Sequence, residues 1–209
     1  MPAADAPAGR KRRAPARRGD GAALRTEIVA AATQLIAASG DASTITLRAV
    51  AREVGVAATS IYLHFDSADD LVTEVKNRLF AEFATALQAA ADAAGDDPLT
   101  RIKARGLAYL HYATAHPGEY LVMFTARLNA LVPDSPDAIE RMLSFTQLGE
   151  DVQRCRPGGH ELSPDDAGMI SFHLWSILHG SLNLRLNRPE HPWPSAADQL
   201  NDLVGRLLG

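Results

Sequence analysis

The chain has 209 residues and 22.4 kDa, with 46% hydrophobic, 22% charged and 6% aromatic residues. These are the proportions of a globular protein and exclude wholesale disorder. The 37 alanines favour helix over sheet. No apolar run reaches the ~18 residues of a membrane span, so no membrane partner is expected. The single cysteine, Cys155, excludes an intramolecular disulfide framework or a multi-cysteine zinc ribbon and suits a reducing, cytoplasmic location.

Taken from the N-terminus, residues 1–20 read as a basic arm without a fold of its own. Arg10, Lys11, Arg12, Arg13, Arg17 and Arg18 alternate with Pro and Ala, and no apolar stretch follows to make a secretory signal. The net charge of −4 conceals an asymmetry, because residues 1–25 hold seven basic against two acidic side chains. A basic arm on an acidic body suits a polyanion partner, or is simply a solvated tail.

From Leu24 the helical period takes over, with Ile28, Val29, Ala32, Leu35 and Ile36 on one face of a helix ending near Gly40. Thr46 caps a short second helix that Gly55 stops, and a third follows over about 58–64. Ser67 opens a long fourth helix with Leu71, Val75, Leu79, Phe83 and Leu87 inward. Asp97-Pro98, Ser163-Pro164 and Ser195 are further start signals. Helices are expected over about 98–115, 119–131, 137–152, 164–187 and 196–208, with a loop at Arg156-Pro157-Gly158-Gly159. The fold class is all-α, about nine helices: arm 1–20, an N-terminal three-helix domain 21–68 with two short helices at about 46–65, and a C-terminal helical domain 69–209.

Two short helices joined at Gly55 match the helix-turn-helix, which sets its second helix in the major groove. Thr46-Leu47-Arg48-Ala49-Val50-Ala51, Gly55-Val56, Ile61-Tyr62-Leu63-His64-Phe65, Ser67 and Leu71 resemble the TetR family of bacterial transcriptional regulators over about residues 24–75. The resemblance implies a double-stranded DNA operator as partner. Thr46, Tyr62 and His64 then lie at the phosphates, Ala57, Ala58, Thr59 and Ser60 at base edges, and Arg48 belongs to the DNA-binding surface. Ile61 and Phe65 are inward, and Arg12, Arg13, Arg17 and Arg18 extend the contact. Tyr62 also reads as a core aromatic and His64 as a packing residue. Ala68 replaces the family's usual lysine, and the recognition helix lacks Arg, Lys, Asn and Gln, so specificity leans on the arm and on DNA shape.

Trp175-Ser176-Ile177-Leu178-His179-Gly180 resembles the WHG type of TetR regulatory domain. That implies a small-molecule effector and a homodimer. Phe83, Tyr109, Tyr112, Met123, Phe124, Phe145, Trp175 and His179 are the candidate lining of a largely apolar pocket, with packing roles for Trp175 and His179 the other reading. The eighth helix is apolar nearly all round and must be buried on more than one side. Leu174, Leu178, Leu182, Leu200, Leu203 and Leu207 are the candidate dimer interface. The resemblance also implies release of the operator through a changed spacing of the two recognition helices.

Enzyme chemistry is not expected. His111 and His116 are five apart and His173 and His179 six, neither matching the i, i+4 spacing of a helical zinc site. No phosphate loop or nucleophile elbow is present, and no metal or cofactor is expected. Cys155 lies between Arg154 and Arg156, which can lower its pKa, but a lone thiol in a loop reads as inert rather than catalytic. The function read from the sequence is a ligand-responsive, DNA-binding repressor. The alternatives are a helical small-molecule-binding protein and a sequence-nonspecific DNA-binding protein.

Overall fold

A computed structural model describes residues 21–39, 41, 43, 45–125 and 136–209. The arm arginines Arg12, Arg13, Arg17 and Arg18 lie outside the described residues. Nine α-helices occur among the described residues: α1 Gly21–Ser39, α2 Leu47–Val54, α3 Ala58–Ile61, α4 Ala68–Ala93, α5 Pro98–Ala115, α6 Pro117–Thr125, α7 Pro136–Gln153, α8 Pro164–Asn187 and α9 Ala196–Leu208. Local side-chain chemistry sets their starts. The oxygens of Thr46, Ser67, Asp97, Ser163 and Ser195 accept from the backbone N–H three residues on at 2.9–3.1 Å, satisfying donors that a helix start leaves open. Gly55 ends α2 at φ 80, and its N–H returns to the Ala51 carbonyl, a conformation that a Cβ disfavours.

Two boundaries differ from expectation. α3 stops at Ile61, and His64 and Phe65 close a turn onto the Ile61 carbonyl at 2.9 and 3.0 Å. The Pro157–Gly159 stretch is one 3₁₀ turn rather than irregular loop. The end expected for the sixth helix, 126–131, lies outside the described residues.

The chain divides into two units after Lys76, inside α4 rather than at its start. In the first unit, Ile28, Val29, Ala32 and Ile36 of α1, Leu47, Val50 and Ala51 of α2, and Ile61, Phe65, Leu71 and Val75 form the core. Arg25 lies 4.9 Å over the Phe65 ring and pairs with Glu74, a cation–π contact and a surface ion pair that tie α1 to α4.

In the second unit α5 packs against α6, α7, α8 and α9. Gly106 permits the approach of α9, since a Cβ there would stand 2.9 Å from both Leu200 methyls. α8 buries Ala167, Ser171, Leu174, Leu178, Ser181 and Leu182 on one face, while Met169, Phe172, Ile177 and Leu184 are exposed. This corrects the expected dimer interface. Leu174, Leu178, Leu182, Leu200 and Leu203 are buried in their own protomer, which leaves them no surface for a second copy, whereas Leu207 is half-buried and accessible. An apolar pattern without a polar face does not say which side meets the protomer's own core.

Candidate functional site

The first unit presents its polar groups outward. Ile61 and Phe65 are inward, four residues apart, and Tyr62 and Leu63 between them turn to solvent. Tyr62 is 51% exposed, which removes the core-aromatic reading, whereas His64 is half-buried. Thr46, Arg48, Ala57 and Thr59 are exposed, and Ala58 and Ser60 half-buried. The Thr46 oxygen is engaged by the Ala49 N–H at 3.1 Å, which leaves its hydroxyl proton for an external acceptor. Leu63, beside Tyr62, is 84% exposed. The Ile61/Phe65 spacing signals that outward position, and only its apolar character kept it from the expected contact set.

The second unit turns its groups inward, onto a cavity of about 380 Å³, within the ~300–1,000 Å³ of small-molecule sites. Phe83, Tyr109, Phe124, Phe145 and Trp175 line it, together with Phe80, Phe172, Met142 and aliphatic side chains. The aromatic rings meet edge-on, Phe83 to Tyr109 at 5.3 Å and Phe145 to Trp175 at 6.3 Å. Three expected lining residues are not in the wall. Tyr112 packs against Phe83 at 5.2 Å and His116 at 4.8 Å, Met123 is buried in the core, and His179 is held behind Tyr109 by hydrogen bonds.

That bonding is a closed triangle: Tyr109 OH lies 3.0 Å from Tyr120 OH and 3.0 Å from His179 Nδ1, and Tyr120 OH lies 2.5 Å from the same nitrogen. Burial raises the Tyr109 phenol strongly and pushes Tyr120 up to about 12, and burial lowers His179. All three are therefore neutral near pH 7. Two hydroxyl protons can fill two of the three contacts at a time, and whether Nδ1 accepts or donates depends on the imidazole tautomer. The histidine of the Trp-x-x-x-His-Gly segment thus orients two tyrosines, one of which is in the cavity wall.

A buried charged network, absent from the sequence reading, lies beside the cavity. Arg105, 3% exposed, is in the wall and pairs with Asp151 at 2.8 Å. Arg101 reaches the other oxygen of Asp151, also at 2.8 Å. Arg105 also donates to Gln88 and Gln147. Cys155 is not activated by its neighbouring arginines. It is buried and donates to the Asp151 carbonyl at 3.5 Å. Burial, with Asp97 and Asp151, pushes its thiol up to about 11 against the opposite pull of Arg154. Among the described residues no three His, Cys, Asp or Glu side chains gather to hold a metal ion, and no helix is long and apolar enough to cross a membrane.

Comparison with known proteins agrees with this division. Residues 28–75 match the description "Bacterial regulatory proteins, tetR family", and residues 102–207 match "Tetracyclin repressor-like, C-terminal domain". An uncharacterized HTH-type transcriptional regulator of Mycobacterium tuberculosis, Rv0681, is 26% identical over 142 residues, 68% of this chain. The match spans 61% of that relative's length. The crystal structure of the regulatory protein SCO4313 superposes with a TM-score of 0.72 at 22% identity, covering 93% of this chain and 100% of that one. A tetR family transcription regulator from Shewanella sp. PV-4 does so at 0.66 and 20%, covering 88% and 95%. At these identities the structures speak for the fold.

Proposed function

Because the chain belongs to the tetR family of bacterial regulatory proteins, we propose that it is a cytoplasmic, ligand-responsive transcriptional repressor. It binds a double-stranded DNA operator as a homodimer and releases it when a small, largely apolar effector enters the second unit. It works by binding, not by catalysis. The observation that carries this reading is the pairing of an outward-facing helix-turn-helix, with Thr46, Thr59 and Tyr62 exposed, with an aromatic cavity of about 380 Å³ in the other unit. α4 contributes Leu71 and Val75 to the first core and Phe83 and Leu87 to the second, so a ligand that favours one position of α4 bears on both. By linkage, effector and operator each weaken the other's binding by the same factor, typically equivalent to ~1–3 kcal/mol.

The dimer contact falls on the exposed side of α8, at Met169, Phe172, Ile177 and Leu184, where an apolar strip of this kind suits a partner. Selection of bound DNA from a random pool, followed by competition with random sequence, tests the assignment. A regulator prefers its site by at least ~10³-fold. A preference near unity would instead identify a nonspecific DNA-binding protein, and no DNA binding at all a helical small-molecule-binding protein. Truncation of residues 1–20 should make the salt dependence of affinity shallower, by ~0.9 in log–log slope for each phosphate the arm neutralises. Light scattering that finds a 22.4 kDa species at micromolar concentration overturns the dimer.

A further inference from the structure

We infer that the effector is an apolar monocarboxylate whose head group is taken by Arg105. This rests on the reading of the cavity as an effector site and names the ligand chemistry. A guanidinium carries five N–H donors and stays charged at any pH a protein meets. Four are used here: Nε and one Nη2 hydrogen on Asp151 Oδ2 at 3.3 and 2.8 Å, the other Nη2 hydrogen on Gln88 at 2.9 Å, and one Nη1 hydrogen on Gln147 at 3.3 Å. The second Nη1 hydrogen has no acceptor among the described residues. The bond that Nη1 does make goes to a neutral amide beyond the usual ~2.7–3.2 Å. A fully buried cation in a cavity wall therefore keeps one nitrogen under-used.

The charge around it is also unbalanced. Arg101, Arg105 and Arg154 all converge on Asp151, and the one further carboxylate bonded to the group is the exposed Asp92, on Arg101. Arg154 and Asp92 reach water, so in the interior Arg101 and Arg105 share the single carboxylate of Asp151, which leaves one positive charge in excess. A single carboxylate would supply the missing acceptor to Nη1 and neutralise the excess, in a charge-assisted bond roughly twice as strong as the neutral one it replaces. A dianion would leave a buried charge uncompensated, and a cation would be repelled. Apart from Ser144 and Met142 the rest of the wall is aromatic and aliphatic, so the body of the ligand is apolar.

Calorimetric titration of the full chain with decanoate, decan-1-ol and decylammonium tests this without the natural effector. Decanoate should bind at least ~10-fold more tightly than decan-1-ol, the gain typical of a hydrogen bond to a charged partner, and decylammonium more weakly than either. In Arg105→Gln the decanoate preference should fall to within about threefold while decan-1-ol affinity persists. The wild-type ratio alone decides the matter if that variant does not fold. Equal binding of decanoate and decan-1-ol, decylammonium binding as well as decanoate, or a preference that survives Arg105→Gln would overturn the role of Arg105 and leave the cavity as an effector site. Binding of none of the three would overturn both.

Discussion

The two units place their functional groups on opposite sides of their cores. In the first, Ile61 and Phe65 face inward and Thr59, Tyr62 and Leu63 face water; the core is aliphatic and the recognition surface is an outer layer on it. In the second, Arg105, Tyr109 and Trp175 face the interior, and the cavity they line adjoins the packing that holds α5 to α7, α8 and α9. Surface groups remain solvated before and after substitution, so changes there act on binding and little on stability. Buried polar groups have only each other, and removing one strands the rest. Recognition and stability are therefore separable in the first unit and entangled in the second.

The largest effect should come from Asp151→Ala. Asp151 is 3% exposed and holds Arg101 and the buried Arg105, so its removal leaves Arg105 without a carboxylate and Arg101 with only the exposed Asp92, at a cost of about 3–5 kcal/mol on the scale of broken buried ion pairs. Trp175 and Trp193, the two tryptophans of the chain, both lie in the second unit, so denaturant unfolding followed by tryptophan fluorescence reports this unit directly. A loss under ~1 kcal/mol would show that the network is not what holds α5 to α7, and the contrast between the units would collapse.

A smaller effect is expected where the first unit departs from the rule. Thr46 is exposed, yet it both caps α2 and stands in the expected phosphate contact set. Thr46→Ala should cost about 1 kcal/mol through the lost cap, read as faster amide hydrogen exchange in α2, and should also weaken operator binding. Thr46→Ser keeps the capping oxygen and should restore the exchange rate. If Thr46→Ala weakens DNA binding while α2 exchange is unchanged, the residue acts only at the DNA.

The same contrast explains how much was legible in the sequence. Helix starts were, because Thr46, Asp97, Ser163 and Ser195 act within three residues of themselves. The inward and outward sides of the first unit were legible too, since an aliphatic core obeys periodicity. Arg105 was not. Periodicity assigns a charged residue to the surface, and the partner that permits its burial, Asp151, is 46 positions away. His179 was placed in the cavity because it shares a helical face with Trp175, but Tyr109 and Tyr120, from two other helices, hold it back. Long-range polar pairing is the information that a local pattern lacks.

The smallest effect tests that last arrangement. His179 is half-buried and its imidazole is lowered by burial below the usual 6.5, with Tyr109 and Tyr120, both neutral across the range below pH 8, as the groups bonded to it. Well above pH 6.5 the histidine is neutral in folded and unfolded chains alike and contributes no pH dependence. As pH falls below 6.5 the unfolded chain takes up the proton first, so ν_U exceeds ν_N and stability is lost, until the folded form is protonated as well. One proton can contribute no more than about 1.4 kcal/mol per pH unit, and nothing at neutral pH, so under the conditions of the other two tests the effect is the smallest. In His179→Asn an amide oxygen stands near the Nδ1 position and can accept from the tyrosine hydroxyls, but it does not titrate. The wild type should therefore lose stability relative to the variant between pH 6.5 and 5, with a constant difference between pH 7 and 8. Parallel stability curves down to pH 5 would mean that His179 takes up a proton in the folded state as readily as in the unfolded chain. Nδ1 would then be free to donate, and the tyrosine triangle would not be what keeps the histidine out of the cavity.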